Sequence, residues 1–401
     1  MNKTRAKFGI FILAFILLAT NAISPAMASI KAAFPDASAS TVNTILLIPQ
    51  LMSVPFVIFG GAIAGKFSKK RLIIIGLILF AGSGVIGFFT ESLAVLIASR
   101  AAFGVGYGLL VPCSLGIASD IFFGTDEYDK IIGMEYSLKS IGSIFYTLIA
   151  GVLCEISWHH TFLVYLTGAV VLVIIFFVIP DIPPEKHGRE KTADKKRNKK
   201  DQSGPGIPAI LIPAILIGFA YSFCIQINGT NFSFVIERGG FGTSWVSGLV
   251  TSTVTVGAAI GAAAYDWILK KLGDRTFLLG MLCCAAGFAV GAAAVHVSML
   301  FICAVLLGFG LGMVNPALLM LVGRESKESS TLFFSLIMAS MNLGAMVQGW
   351  VVPSITAAIF GGDGQGRDAF IVAAAGMTIC IGLGILMLLR FGKKEKAPGA
   401  A

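Results

Sequence analysis

The chain has 401 residues, 56% of them hydrophobic and only 13% charged, with 30 Lys and Arg against 21 Asp and Glu. A soluble protein carries about 25% charged residues, so this composition has too little polar surface for a water-soluble enzyme, a disordered chain or a secreted disulfide scaffold. An integral membrane protein remains.

Run length gives the class. A bilayer core about 30 Å thick takes roughly 20 apolar residues at 1.5 Å rise each. Twelve such stretches are predicted, at roughly 8–29, 41–65, 72–90, 93–119, 131–154, 161–180, 207–235, 244–268, 276–296, 298–322, 331–360 and 369–390. None alternates with period 2 as a barrel strand does, so all are read as helices. The first stretch, with Lys3, Arg5 and Lys7 before it and Ala26-Met27-Ala28 after it, has the outline of a signal peptide. Its apolar run is long for that, and it is read as an uncleaved first span. Between the sixth and seventh stretches, residues 181–206 are rich in Lys, Arg, Asp, Glu and Pro, which marks a solvated linker between halves 1–180 and 207–401.

Charge sorts the connections. With the N-terminus inside, twenty-five of the thirty cations fall on inside segments and three on outside segments (Lys31, Arg238, Arg367). The remaining two, Arg100 and Lys139, fall within spans. This bias places both termini in the cytoplasm and accounts for the net charge of +9 as topology, with no nucleic-acid partner implied. The seven cysteines lie in or beside apolar stretches and show no C-x-x-C spacing, so they read as packing residues.

The halves repeat at an offset of 204 residues. Arg71-Leu-Ile-Ile-Ile-Gly76 matches Arg275-Thr-Phe-Leu-Leu-Gly280, Gly87 falls on Gly291, and Gly104-Val-Gly106-Tyr-Gly108 through Pro112 matches Gly308-Phe-Gly310-Leu-Gly312 through Pro316. Equal spacing over spans and connections predicts two similarly folded halves.

Twelve spans in two halves with a charged central loop resemble the major facilitator superfamily. Gly61-Ala-Ile-Ala-Gly65-Lys66-Phe67-Ser68-Lys69-Lys70 resembles the family's G-x-x-x-D-R-x-G-R-R loop, Arg100-Ala-Ala-Phe-Gly104-Val-Gly106 its fourth-span R-x-x-x-G-x-G, and Ser157-Trp158-His159-His160-Thr161-Phe162 its G-W-R-x-x-F. Gly65 replaces the loop Asp. Gly142-Ser-Ile-Phe-Tyr146-Thr147-Leu-Ile-Ala150-Gly151 lacks the central Gly-Pro of the fifth-span antiporter signature, which counts against drug/proton antiport. The resemblance implies alternating access by rocking of two halves about a central site.

Intramembrane charges mark candidate sites, because each is costly unless paired or facing water. Arg100 and Lys139 are expected at similar depth, with Glu135 one turn from Lys139 in the favourable i,i+4 order. One reading is an electropositive substrate site at Arg100 and Lys139 with Glu135 as the proton-coupling group. The other is a structural Glu135–Lys139 pair, with Arg100 bonded to backbone carbonyls. Amides expected to face the interior are Gln226, Asn228, Asn231, Asn315, Asn342 and Gln348, with Gln226 and Asn342 foremost. Lys66, Lys69, Lys70, Asp120, Asp266 and Lys270 are candidate gating residues. No phosphate-binding loop and no catalytic cluster is present, so no enzyme activity, cofactor or metal is expected. The expected function is secondary transport of a small organic solute, an organic anion in the leading reading. Proton-coupled efflux of drug-like compounds is the alternative. The partners expected are the substrate, a coupling ion such as the proton, and the bilayer, with the chain a monomer.

Overall fold

The computed structural model describes residues 3–64, 67–122, 125, 127–179, 211–325 and 330–391. Among them the chain is all helical. In hydrocarbon every backbone N–H and C=O needs an internal partner, which helices supply within one segment. The α-helices are α1 (Lys3–Leu17), α2 (Met27–Ala33), α3 (Ala39–Ala64), α4 (Lys69–Phe89), α5 (Leu93–Phe122), α6 (Tyr128–Cys154) and α7 (Thr167–Val178). They continue as α8 (Leu211–Ile225), α9 (Ile227–Arg238), α10 (Ser244–Leu272), α11 (Thr276–Ala292), α12 (Val297–Glu325), α13 (Ser330–Phe360) and α14 (Arg367–Phe391). Eleven segments among the described residues are long and apolar enough to cross a membrane. One of these, Ser244–Ala292, holds both α10 and α11. The expected linker at 181–206 lies outside the described residues.

Several membrane-length segments are not single α-helices. Between α1 and α2 the chain passes through 3-10 turns at Leu18–Asn21 and Ser24–Ala26, the second containing Pro25. Between α8 and α9 the helix breaks at Gln226. The offset of 204 carries Ala22 onto Gln226, so the first segment of each sequence half is interrupted at the same place. A 3-10 stretch, Trp158–Leu166, opens the segment that α7 completes.

The repeat also appears in the packing. A Cβ on Gly106 would meet the Gly76 carbonyl, and a Cβ on Gly310 would meet the Gly280 carbonyl. The α4–α5 and α11–α12 hairpins are therefore closed by the same glycine-to-glycine contact, where only the absence of a side chain lets two backbones touch.

The chain forms two compact units that run across the sequence halves. Unit 1 comprises 1–203, 228–255 and 349–369, and unit 2 comprises 204–227, 256–348 and 370–401. The core of unit 1 includes Phe80, Phe103, Phe122, Phe162 and Tyr165, all buried. In unit 2 the described buried side chains include Phe277, Phe288 and Phe370. The seven cysteines are free, six of them buried.

Candidate transport site

Arg100 on α5 is fully buried. Its Nε donates to the Ile45 carbonyl at 3.3 Å and its Nη2 to the Thr20 carbonyl at 3.1 Å. The sequence explains both acceptors. Ile45 would normally accept from the N–H four residues on, but that residue is Pro49, which has none. Thr20 stands in the 3-10 interruption after α1. Arg100 therefore supplies donors to an acceptor that a proline leaves open and to one at a helix break. Its planar group also lies over the Phe103 ring at 4.1 Å and near Tyr165 at 5.0 Å, so aromatic faces take part of its charge. Arg100 Nη1 and the Tyr165 hydroxyl complete no hydrogen bond of ordinary geometry.

Glu135 and Lys139 form a separate buried pair on α6. Lys139 Nζ lies 2.9 Å from Glu135 Oε1, and that oxygen also accepts the Ser114 hydroxyl of α5 at 2.9 Å. Glu135 Oε2 is buried without a partner. Ser114 is fourteen residues beyond Arg100 on α5, about 21 Å along the helix at 1.5 Å per residue. Lys139 recovers only one turn of that separation. Arg100 and Lys139 therefore do not stand at the similar depth expected, because the Ser114 contact, and not the span ends, fixes the register between α5 and α6.

The amides fall into two groups. In unit 1 Asn228 and Asn231 are buried; Asn231 Oδ1 accepts the Gly366 N–H at 2.9 Å, and its Nδ2 donates to Thr230 at 3.0 Å. In unit 2 Gln226 is half-buried at the helix break, and Asn315 is half-buried with its Oδ1 unpartnered. Asn342 is exposed on α13. Gln348, six residues on, is fully buried with both ends of its amide unpartnered.

Of the gating candidates, Lys69 donates to the Gly116 carbonyl of α5 at 3.2 Å. Lys70 donates to the Phe176 carbonyl of α7 at 2.8 Å. Phe176 lies in the last turn of α7, where a cation also meets the negative end of the helix dipole, whereas Gly116 lies more than a turn before the end of α5. Asp266 and Lys270 pair with each other at 2.6 Å on an exposed turn of α10. Lys66 lies outside the described residues, as does the Asp120 side chain. Among the described residues no cluster of His, Cys, Asp or Glu could hold a metal.

Other polar contacts, not singled out by the sequence, join the two sequence halves within unit 1. Ser24 Oγ donates to the Gly229 carbonyl, and the Ala28 N–H donates to Ser233 Oγ at 3.2 Å. Glu237 Oε1 accepts Ser244 at 2.9 Å and Ser29 at 3.5 Å. Glu155 Oε1 accepts the Trp245 N–H at 2.8 Å.

Broken first segments, a glycine-paired repeat and buried charges on α5 and α6 agree with one family, and residues 9–281 match the Major Facilitator Superfamily. The chain belongs to that superfamily. It is accordingly a multi-pass protein of the cell membrane. Over 225 residues it is 25% identical to the quinolone resistance protein NorA of Staphylococcus aureus (strain Mu50 / ATCC 700699), covering 55% of this chain and 56% of NorA. The chain thus spans little more than half the length of that relative. Over 341 residues it is 25% identical to the multidrug efflux protein YfmO of Bacillus subtilis (strain 168), covering 82% of this chain and 80% of YfmO. Its fold is similar to that of the nucleoside transporter NupG, with a TM-score of 0.76 at 13% identity over 98% of this chain and 100% of NupG. It is also similar to that of a D-xylose-proton symporter, with a TM-score of 0.74 at 16% identity over the full length of both chains.

Proposed function

We propose that the transporter exports lipophilic, drug-like compounds in exchange for protons by alternating access. In this reading it has twelve spans, with both termini in the cytoplasm as the cation bias directs. The connections 34–38, 90–92, 155–157, 239–243, 293–296 and 361–366 then face outward.

The observation that carries the substrate class is the use already made of the buried cations. Arg100 gives two of its nitrogens to the carbonyls of Thr20 and Ile45, and Lys139 is paired with Glu135. An apolar solute asks nothing of these groups, whereas a carboxylate would have to displace them. The relatives NorA, a quinolone resistance protein, and YfmO, a multidrug efflux protein, favour the same class. Glu135 is the group assigned to the proton. Its Oε2 is buried and unpartnered, so a proton there would neutralise the carboxylate. Lys139 would then be unpaired in a medium where a lone charge is costly. Protonation is in this way tied to the contact that Glu135 makes with Ser114 across α5 and α6.

A second reading, transport of small organic anions, is favoured by one observation: Arg100 Nη1 completes no hydrogen bond of ordinary geometry and could donate to a carboxylate. Proteoliposomes with an imposed pH gradient separate the two. Ethidium should be moved against the proton gradient, and Glu135→Gln should abolish that accumulation while keeping ethidium counterflow. Movement of a dicarboxylate but not ethidium would overturn the efflux reading in favour of the second.

A further inference from the structure

The connection between α13 and α14 reads Gly361-Gly362-Asp363-Gly364-Gln365-Gly366, and its four glycines have φ of +79°, +71°, +73° and +94°. Left-handed backbone at four positions out of six is a shape that side-chain-bearing residues resist. It turns the segment inward. Gln365 is only 5% exposed, and its Nε2 donates to Asn43 Oδ1 of α3 at 3.2 Å. The next residue, Gly366, donates its N–H to Asn231 of α9 at 2.9 Å. At the rim Asp363 takes both terminal nitrogens of Arg238, the last residue of α9, with Nη1 at 2.8 Å.

Asn43 is the centre of this arrangement. Besides accepting from Gln365, it donates through Nδ2 to the Gly349 carbonyl of α13 at 3.3 Å. That carbonyl is free because the residue four positions on is Pro353. The residue after Asn43, Thr44, accepts from Trp350 Nε1 at 3.0 Å. One short connection is therefore bonded to a helix of the first sequence half and to a helix of the second, all inside unit 1.

We propose that residues 361–366 are a strap that holds the outer gate shut, and that alternating access requires Gln365 and Gly366 to let go of Asn43 and Asn231. This rests on the transporter and orientation readings above. One feature distinguishes it from a passive turn. Gln365 Oε1 is buried with no donor, so the closed strap carries an unmet acceptor that water would satisfy on opening. That cost offsets part of the gain from the bonds, which suits a closure that must reverse on every cycle. The released amides of Asn43, Asn231 and Gln365 would then face a solute leaving by this route.

The test uses full-length protein in proteoliposomes, with its seven native cysteines replaced. Ser247 on α10 is fully buried and its hydroxyl has no partner, so Ser247→Cys reports opening without removing a bond. Adding Asp363→Asn and Gln365→Ala should raise its labelling rate by an impermeant thiol reagent at least five-fold. An unchanged rate would overturn the strap, whatever the substrate proves to be. A second arm replaces Asn43 and Gln365 with cysteines and joins them with copper-phenanthroline, confirming the disulfide by mass spectrometry. Oxidation should stop ethidium counterflow and dithiothreitol should restore it. Counterflow through the cross-linked protein, or failure of the pair to cross-link, would overturn the proposal. Absence of any ethidium transport before oxidation would instead count against the efflux reading, leaving the labelling result to decide the strap.

Discussion

Glu155 Oε1 accepts the backbone N–H of Trp245 at 2.8 Å, so a carboxylate at the end of α6 caps the first turn of α10. First-turn N–H groups have no partner within their own helix, and a negative group there also meets the positive end of the helix dipole. Removing such a cap costs about 1 kcal/mol, a roughly five-fold shift in a two-state balance. Glu155→Ala should therefore raise outer accessibility at Ser247→Cys about five-fold. Glu155→Gln, which keeps an acceptor, should give a smaller rise. Equal effects of the two would assign the contact to charge alone.

Arg100 and Pro49 should be energetically coupled. Arg100→Ala leaves the Thr20 and Ile45 carbonyls unmet, at about 1–3 kcal/mol each, and should lower the unfolding temperature in detergent markedly. Pro49→Ala returns an N–H to the Ile45 carbonyl. In the Arg100→Ala background it should recover about 1 kcal/mol, although alone it should be neutral or harmful because Gly104 packs directly on the Pro49 backbone. Strict additivity in a double-mutant cycle would contradict this account of the arginine.

Outer closure should be insensitive to pH through the neutral range. The Arg238 guanidinium holds the Asp363 carboxyl below its ordinary value. A depressed carboxylate stabilises above its unfolded value and loses that contribution only as pH falls through the folded one. Labelling of Ser247→Cys should thus be flat from about pH 5 to 8 on this account, with loosening only below about pH 4. Asp363→Asn should remove the acid transition. A transition near pH 6 that survives Asp363→Asn would place the titrating group elsewhere.

Gly364 and Gly362 should respond differently to alanine. Both have positive φ, but a Cβ on Gly364 would strike the Pro353 carbonyl, whereas around Gly362 the space is open. Gly362→Ala should cost only the left-handed penalty of roughly 1–2 kcal/mol. Gly364→Ala should loosen the strap further, seen as faster labelling at Ser247→Cys.

At the opposite end, Lys69→Met removes a charge-assisted bond to the Gly116 carbonyl. Turnover should fall several-fold with membrane insertion unchanged. Normal turnover would leave Lys69 as a topological charge.

The helical fold, the repeat and the family were legible because each rests on length: apolar runs of bilayer size and a constant offset survive any detail of packing. The burial of Arg100, Glu135 and Lys139 was legible for a similar reason, since charges inside apolar runs are rare. Their partners were less so. Thr20 and Ile45 act through backbone carbonyls, which carry no side-chain signature, although Pro49 marked one of them. Equal depth for Arg100 and Lys139 was inferred from span ends, which hide the register between α5 and α6. Asn43 and Gln365 carry no charge and stand near span ends, so no charge pattern in the sequence marks them, and Asn342 is exposed. The density of glycine at 361–366 was the available clue.

The glycine contacts between α4 and α5, and between α11 and α12, bear on how the chain is made. In each case the partners follow one another in sequence; α4 and α5 are separated only by residues 90–92. No rotamers have to be sorted where Gly76 meets Gly106 or Gly280 meets Gly310, so each hairpin can close as its second helix enters the bilayer during synthesis. Contacts of such short range form quickly. The long-range bonds, such as Asn43 to Gln365, can be made only after α14 emerges. A ribosome stalled once α5 has cleared the exit tunnel should already hold a protease-resistant α4–α5 hairpin, long before the gate it will serve exists.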